Sequence, residues 1–94
     1  MHDTDSERES DLQGRRKRLH FRCWHRGTKE LDLLLGPFVD RHLARLDADQ
    51  IGRLEALLEC PDPDLYAWIT GKAEVPAQHD HDVMVLMQNF TLDL

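Results

Sequence analysis

Apolar side chains recur at steps of three and four residues along most of the chain, which is the spacing of amphipathic α-helices. The pattern predicts five helices: an arginine-rich first helix up to Arg26, then helices that begin near Thr28, Asp47, Asp62 and His79. No stretch alternates apolar and polar residues over the length of a strand, and no two-residue hairpin turn such as Asn-Gly occurs. The sequence therefore predicts an all-α fold, a compact five-helix bundle.

Glycine, proline and capping residues mark the ends of the predicted helices. Gly27 is expected to close the first helix in the left-handed conformation, with Thr28 as the N-cap of the second. Asp47 and Gln50 have the spacing of a capping box at the start of the third helix. Gly36-Pro37 lies inside the second helix, where a proline removes a backbone hydrogen bond, so a kink or a restart is expected there.

Composition indicates one small domain with a polar extension. The chain has 94 residues, of which 40% are hydrophobic and 32% charged, which suits a helical domain. Residues 1–11 are almost entirely polar and acidic, so we predict a disordered, mobile acidic tail there and one helical domain over 12–94. No apolar run approaches the roughly 20 residues that span a bilayer, and no secretory signal is apparent. We expect a cytoplasmic protein without membrane insertion.

Basic residues concentrate in the first helix although the net charge of the chain is −6. This cluster consists of Arg15, Arg16, Lys17, Arg18, Arg22 and Arg26. It is either a solvated face or a surface for a partner, and arginine is common where proteins bind each other. The acidic remainder of the chain disfavours nucleic acid. A nucleic-acid- or ribosome-associated adaptor that uses this helix stays open as the alternative, as does a self-associating helical module.

Catalytic and metal chemistry find little support in the sequence. Cys23 and Cys60 are expected to be reduced, buried thiols, since nothing suggests export. Residues 79–82 alternate His and Asp, but consecutive helical residues point in different directions, so we expect a solvated first turn and no metal site. A Cys23 nucleophile paired with His20 or His25 would lack a third orienting group. We therefore predict that the protein is not an enzyme.

Three motifs in order carry a resemblance to a known family. They are residues 18–24, the Arg26-Gly27-x-x-Glu30 corner, and the Cys-Pro-Asp-Pro-Asp-Leu-Tyr-Ala-Trp run over 60–68. In this order and spacing the chain closely resembles the succinate dehydrogenase assembly factor family, over roughly Arg15 to Phe90. The resemblance implies a five-helix assembly chaperone that promotes covalent attachment of FAD to the flavoprotein subunit of succinate dehydrogenase, and in some bacteria of fumarate reductase.

The same resemblance implies where the partner binds. Arg26, Gly27 and Glu30 match the family signature that engages the flavoprotein, and we expect Arg26 and Glu30 to project from a rigid turn. The partner-binding surface expected here comprises Arg18, Arg22, His25, Arg26, Gly27 and Glu30. His25 stands where relatives often carry a second basic residue, which would make docking sensitive to pH. FAD would be handled on the partner and not held stably by this chain, which we expect to be a monomer.

Overall fold

Five helices make up the computed structural model, which describes the backbone of residues 4–93 and the side chains of residues 10–93. The helices are α1 Thr4–Trp24, α2 Lys29–His42, α3 Ala48–Leu58, α4 Asp62–Ile69 and α5 Asp82–Leu92, with 3₁₀ turns at Leu43–Arg45 and Ala77–His79. No strand occurs between residues 4 and 93. The predicted all-α class with five helices is confirmed.

All five helices contribute to one apolar core, whose burial is the main favourable term in folding. Its largest fully buried side chains are Leu19, Leu31, Leu35, Phe38, Val39, Ile51, Leu54, Leu57, Leu65, Val83, Met84 and Met87. The helical spacing of the apolar residues predicts Leu54, Met84 and Met87 as core residues, and their burial confirms this. Cys23 is fully buried as predicted, whereas Cys60 is only half-buried. Both cysteines are free thiols.

Helix α1 begins earlier than the sequence suggested. Its backbone is helical from Thr4, so residues 4–11, for which a disordered tail was expected, continue the helix; residues 1–3 lie outside the described residues. No proline or glycine interrupts residues 4–13, and acidic side chains near a helix N-terminus favour the helix dipole. The helical backbone corrects the expected conformation of this segment, while its mobility and the domain boundary at residue 12 stay predictions.

The second helix passes through Gly36-Pro37 without the predicted restart. Helix α2 is continuous from Lys29 to His42. Gly36 is buried against the indole of Trp24, and a Cβ at Gly36 would lie 2.4 Å from Trp24 Cδ2. Pro37 removes the bond to the carbonyl of Leu33, whose side chain is 53% exposed, so water can replace that bond. Gly36 thus allows α1 and α2 to pack closely, and Gly36-Pro37 does not divide α2 into two helices.

Capping residues mark where α3 and α4 begin. The predicted capping box is confirmed: Asp47 Oδ1 accepts from Gln50 N at 2.8 Å, and Gln50 Oε1 accepts from Asp47 N at 2.9 Å. Helix α4 has Pro61 as its N-cap, and Asp62 is its first helical residue. The sequence Asp62-Pro63 predicts Asp62 as the N-cap and Pro63 at the first helical position, and this prediction is wrong by one residue. The Asp62 carboxylate bonds instead to Arg26, in another part of the chain.

His79 is buried, which contradicts the predicted solvated first turn of the fifth helix. It lies in the 3₁₀ turn before α5, only 7% exposed, with its Nε2 3.3 Å from Cys60 Sγ and its ring centroid 5.5 Å from that of Trp68. Helix α5 starts at Asp82, and His81 caps it by accepting from Met84 N at 3.2 Å. His79 therefore packs against an aromatic ring and a thiol and does not face solvent.

Candidate functional site

The connection between α1 and α2 turns at Gly27, whose φ of 100° lies in the left-handed region that favours glycine. A Cβ at Gly27 would meet no atom within 4 Å, so the backbone conformation and not a lack of space calls for glycine. Thr28 occupies the N-cap position of α2, as predicted, but its side chain does not cap the helix. Its hydroxyl donates instead to Asp62 Oδ2 at 3.4 Å. The predicted turn is present and is tied to the start of α4.

Arg26 directs its guanidinium inward, between the end of α3 and the start of α4. Its Nε lies 3.0 Å from Asp62 Oδ1 and its Nη2 lies 3.0 Å from the carbonyl oxygen of Cys60, while Nη1 donates to the carbonyl of Leu58. Carbonyl groups at a helix end lack partners within the helix, and positive charge is favourable there. Only 11% of the Arg26 side chain is exposed. Arg26 therefore joins the α1–α2 connection to the α3–α4 connection.

The expectation that Arg26 and Glu30 both project from the corner is wrong for Arg26 and correct for Glu30. The main-chain N–H of Arg26 donates to Asp32 Oδ1 at 2.8 Å, so its main chain and its side chain are both engaged within the protein. Glu30 lies in the first turn of α2 and is exposed. Among the described residues, none forms a hydrogen bond or an ion pair with the Glu30 carboxylate. The roles of both residues toward a partner stay predictions.

The arginines of α1 are largely paired within the protein. Arg15 Nη2 lies 2.6 Å from Glu55 Oε1, and Arg22 Nη2 lies 2.6 Å from Glu59 Oε2. The hydrogen bond from Arg15 is the main reason that the pKa of Glu55 is lowered. Arg18 is exposed on the same helix. The predicted basic face is thus partly neutralised, which disfavours the nucleic-acid alternative because phosphate contacts need unpaired cations.

His25 lies beside an exposed aromatic ring that the sequence did not single out for the site. The rings of Phe21 and His25 are stacked with centroids 4.1 Å apart and an interplanar angle of 17°, and Phe21 is 63% exposed. In the sequence Phe21 is interleaved with the basic residues of the first helix. Two residues after the buried Leu19 correspond to about 200° around a helix, so this angle could have placed Phe21 on the outer face.

Two open grooves share Asp62 as a lining residue. The acidic groove has a volume of about 420 Å³ and is lined by Thr28, Glu30, Leu31, Asp62, Pro63 and Tyr66. The basic groove has a volume of about 350 Å³ and is lined by Phe21, Arg22, His25, Arg26 and Asp62. All the predicted site residues except Gly27 and Arg18 line one of these grooves. Asp62 and Tyr66 also line the acidic groove, although neither is among the predicted site residues.

The chemistry of the side chains gives no support to a cysteine nucleophile on α1. Burial raises the pKa of the Cys23 thiol to about 12, so the thiol stays protonated at neutral pH. His20 is bonded to Asp40, with 2.6 Å between Nε2 and Oδ1, and not to Cys23. Within the described part of the chain, no three His, Cys, Asp or Glu side chains are grouped so that they could hold a metal ion.

Comparison with known proteins identifies the family. Residues 17–91 match the family Sdh5, described as the flavinator of succinate dehydrogenase. The chain belongs to this family. It is 41% identical over 70 residues to the FAD assembly factor SdhE of Acetobacter pasteurianus, and 39% identical over 80 residues to the mitochondrial succinate dehydrogenase assembly factor 2 of Dictyostelium discoideum. These alignments cover 74% and 85% of this chain but 64% and 57% of the relatives.

The alignment with a third relative of the same family covers a larger share of that relative. The FAD assembly factor SdhE of Pseudomonas aeruginosa is 44% identical over 73 residues, which are 76% of this chain and 82% of the relative. The segment that matches the Sdh5 family contains α2 to α4 and both grooves. No helix among residues 4–93 is long and apolar enough to cross a bilayer. The residues that match the family therefore include those that form the two grooves.

Proposed function

We propose that this protein is an assembly factor that binds the flavoprotein subunit of succinate dehydrogenase and promotes covalent attachment of FAD to it. Membership of the Sdh5 family over residues 17–91 carries this proposal. The Arg26–Asp62 bond supports it from the structure, because it holds the α1–α2 corner rigidly and presents Glu30 to a partner. Fumarate reductase flavoprotein is a second target to be tested in the same way.

In this proposal the chain acts by binding and performs no covalent step itself. FAD is a substrate of the reaction on the partner and is not a resident cofactor of this chain. A factor that binds one arrangement of the flavoprotein more tightly raises the population of that arrangement, by tenfold for about 1.4 kcal/mol of differential affinity. The covalent bond forms faster when the reacting groups on the partner are held in position. A monomer acting in the cytoplasm is sufficient for this role.

The test measures covalent flavin on the partner directly. Apo-flavoprotein is incubated with FAD, with and without the purified chain, and the covalently bound flavin is read by in-gel fluorescence after denaturation. We expect the chain to increase the rate of covalent attachment. Equal rates with and without the chain, for both the succinate dehydrogenase and the fumarate reductase flavoproteins, would contradict the proposed function.

A further inference from the structure

Glu30 is distinguished from the other acids of the corner by having no partner in the described part of the chain. Asp62 is bonded to the guanidinium of Arg26, and Asp32 accepts from the main-chain N–H of the same residue. Glu30 lines the acidic groove from the first turn of α2 and is exposed. The groove therefore presents one uncompensated carboxylate at its edge, which is complementary to a cation.

Apolar and aromatic groups lie next to this carboxylate. Leu31 is buried, Pro63 is exposed and Tyr66 is half-buried, and all three line the acidic groove. Such a surface suits a long side chain whose stem is apolar and whose head is charged. Arginine suits it better than lysine, because its planar guanidinium can bond a carboxylate through two N–H groups and can stack on an aromatic ring.

We propose that the acidic groove receives an arginine side chain of the flavoprotein partner, with its guanidinium on Glu30 and its stem against Pro63 and Tyr66. This inference rests on the proposed function, since it names the partner chemistry at the same site. The volume of about 420 Å³ leaves room for the residues that flank the arginine. The arginines of the basic groove, Arg22 and Arg26, are paired with Glu59 and Asp62. The Glu30 carboxylate is therefore the charge at the corner that would select a cationic group on the partner.

The first experiment removes the charge of Glu30 and keeps its shape. Binding of apo-flavoprotein of succinate dehydrogenase is titrated calorimetrically against the wild-type chain, Glu30→Gln and the control Glu74→Gln, an exposed acid in the loop between α4 and α5. We expect Kd to rise about tenfold or more for Glu30→Gln, as for the loss of a charge-assisted hydrogen bond, and to change less than about twofold for Glu74→Gln. Circular dichroism checks that each variant is folded.

The second experiment identifies the cation. Exposed arginines and lysines of the flavoprotein are changed singly to glutamate, and each variant is titrated against Glu30→Arg. We expect one arginine substitution to restore binding at least tenfold relative to the wild-type flavoprotein with Glu30→Arg. Restoration by a lysine substitution, or by none, would overturn the proposal.

The outcomes separate this inference from the proposed function. If the wild-type chain neither binds the flavoprotein nor increases its covalent flavin, the proposed function fails. If the wild-type chain binds and Glu30→Gln binds equally well, the proposed function stands and the arginine site is overturned.

Discussion

The guanidinium of Arg26 bonds to the carboxylate of Asp62, which lies 36 residues further along the chain. Asp62 is the first residue of α4, and Arg26 also donates to the carbonyls of Leu58 and Cys60 at the end of α3. A single side chain thus satisfies groups at two helix ends and holds the α1–α2 connection against them. Arg26 is a positioning residue for the corner, and Glu30 is one of the exposed residues that follow it.

Loss of the Arg26 side chain is expected to destabilise the fold. Arg26→Ala removes the guanidinium from Asp62, which keeps only the long hydrogen bond from the Thr28 hydroxyl, and from the main-chain carbonyls of Leu58 and Cys60. The side chains of Arg26 and Asp62 are only 11% and 24% exposed. We expect a loss of about 2–4 kcal/mol in the free energy of unfolding, measured by urea denaturation.

Arg18 supplies the matched control for this substitution. It is an arginine of the same helix and is exposed, so Arg18→Ala should change the free energy of unfolding by less than about 0.5 kcal/mol. Equal stabilities of Arg26→Ala and Arg18→Ala would show that the bond to Asp62 contributes nothing and would return Arg26 to the role of a binding residue.

Glu30→Ala is expected to reduce covalent flavin on the partner with little loss of folding stability. The Glu30 side chain is exposed at the start of α2, so its truncation should cost less than about 0.5 kcal/mol of folding stability. Covalent flavin on the partner should nevertheless fall, because Glu30 is the residue that we propose contacts the partner. Thermal melting and in-gel flavin fluorescence measure the two effects, and a parallel loss in both would assign Glu30 a structural role.

Features that depend on neighbours in the sequence could be predicted, and those that depend on distant residues could not. The turn at Gly27 and the capping box of Asp47 and Gln50 are local patterns, and both are present. The partner of Arg26 is 36 residues away, and no local pattern distinguishes an arginine that points inward from one that points to solvent. The corner was therefore predicted correctly while the direction of its arginine was not.

The contrast between local patterns and distant contacts also explains why the sequence did not predict a continuous helix through Gly36-Pro37. The sequence shows a glycine and a proline that each disfavour a helix interior, so it predicts a kink or a restart there, and the restart is absent. The close approach of the Trp24 indole to Gly36 is a tertiary contact, and tertiary packing overrides local propensity.

Gly27 offers a test that distinguishes backbone conformation from bulk at the corner. Its φ of 100° disfavours any side chain, and a Cβ meets no atom within 4 Å. Gly27→Ala and Gly27→Arg should therefore lose similar folding stability, about 1–2 kcal/mol each. Only the arginine is large enough to obstruct a partner at the surface, so Gly27→Arg should reduce binding of the flavoprotein far more than Gly27→Ala. Equal binding by the two variants would indicate that the partner does not approach this turn.

Gly36 and Gly14 form a matched pair of glycines within helices. A Cβ at Gly36 would overlap the Trp24 ring at 2.4 Å, whereas a Cβ at Gly14 would be 3.5 Å from its nearest neighbour, the flexible end of Arg18. Gly36→Ala should destabilise the protein by about 1–3 kcal/mol through overpacking, and Gly14→Ala should stabilise it by up to about 1 kcal/mol. Urea denaturation measures both, and a stabilising Gly36→Ala would mean that Trp24 can move aside without cost.

Acidification should weaken the contact between α1 and α3. The hydrogen bond from Arg15 lowers the pKa of Glu55 below its ordinary value of 4.5, so the folded state favours the ionised carboxylate. This contribution to stability is present above pH 4.5 and is lost as the pH falls through the lower pKa of the folded state. Denaturation measured at pH 7 and at successively lower pH should show wild type losing more stability than Glu55→Gln, which cannot titrate. If both lose the same amount, other carboxylates account for the whole pH dependence.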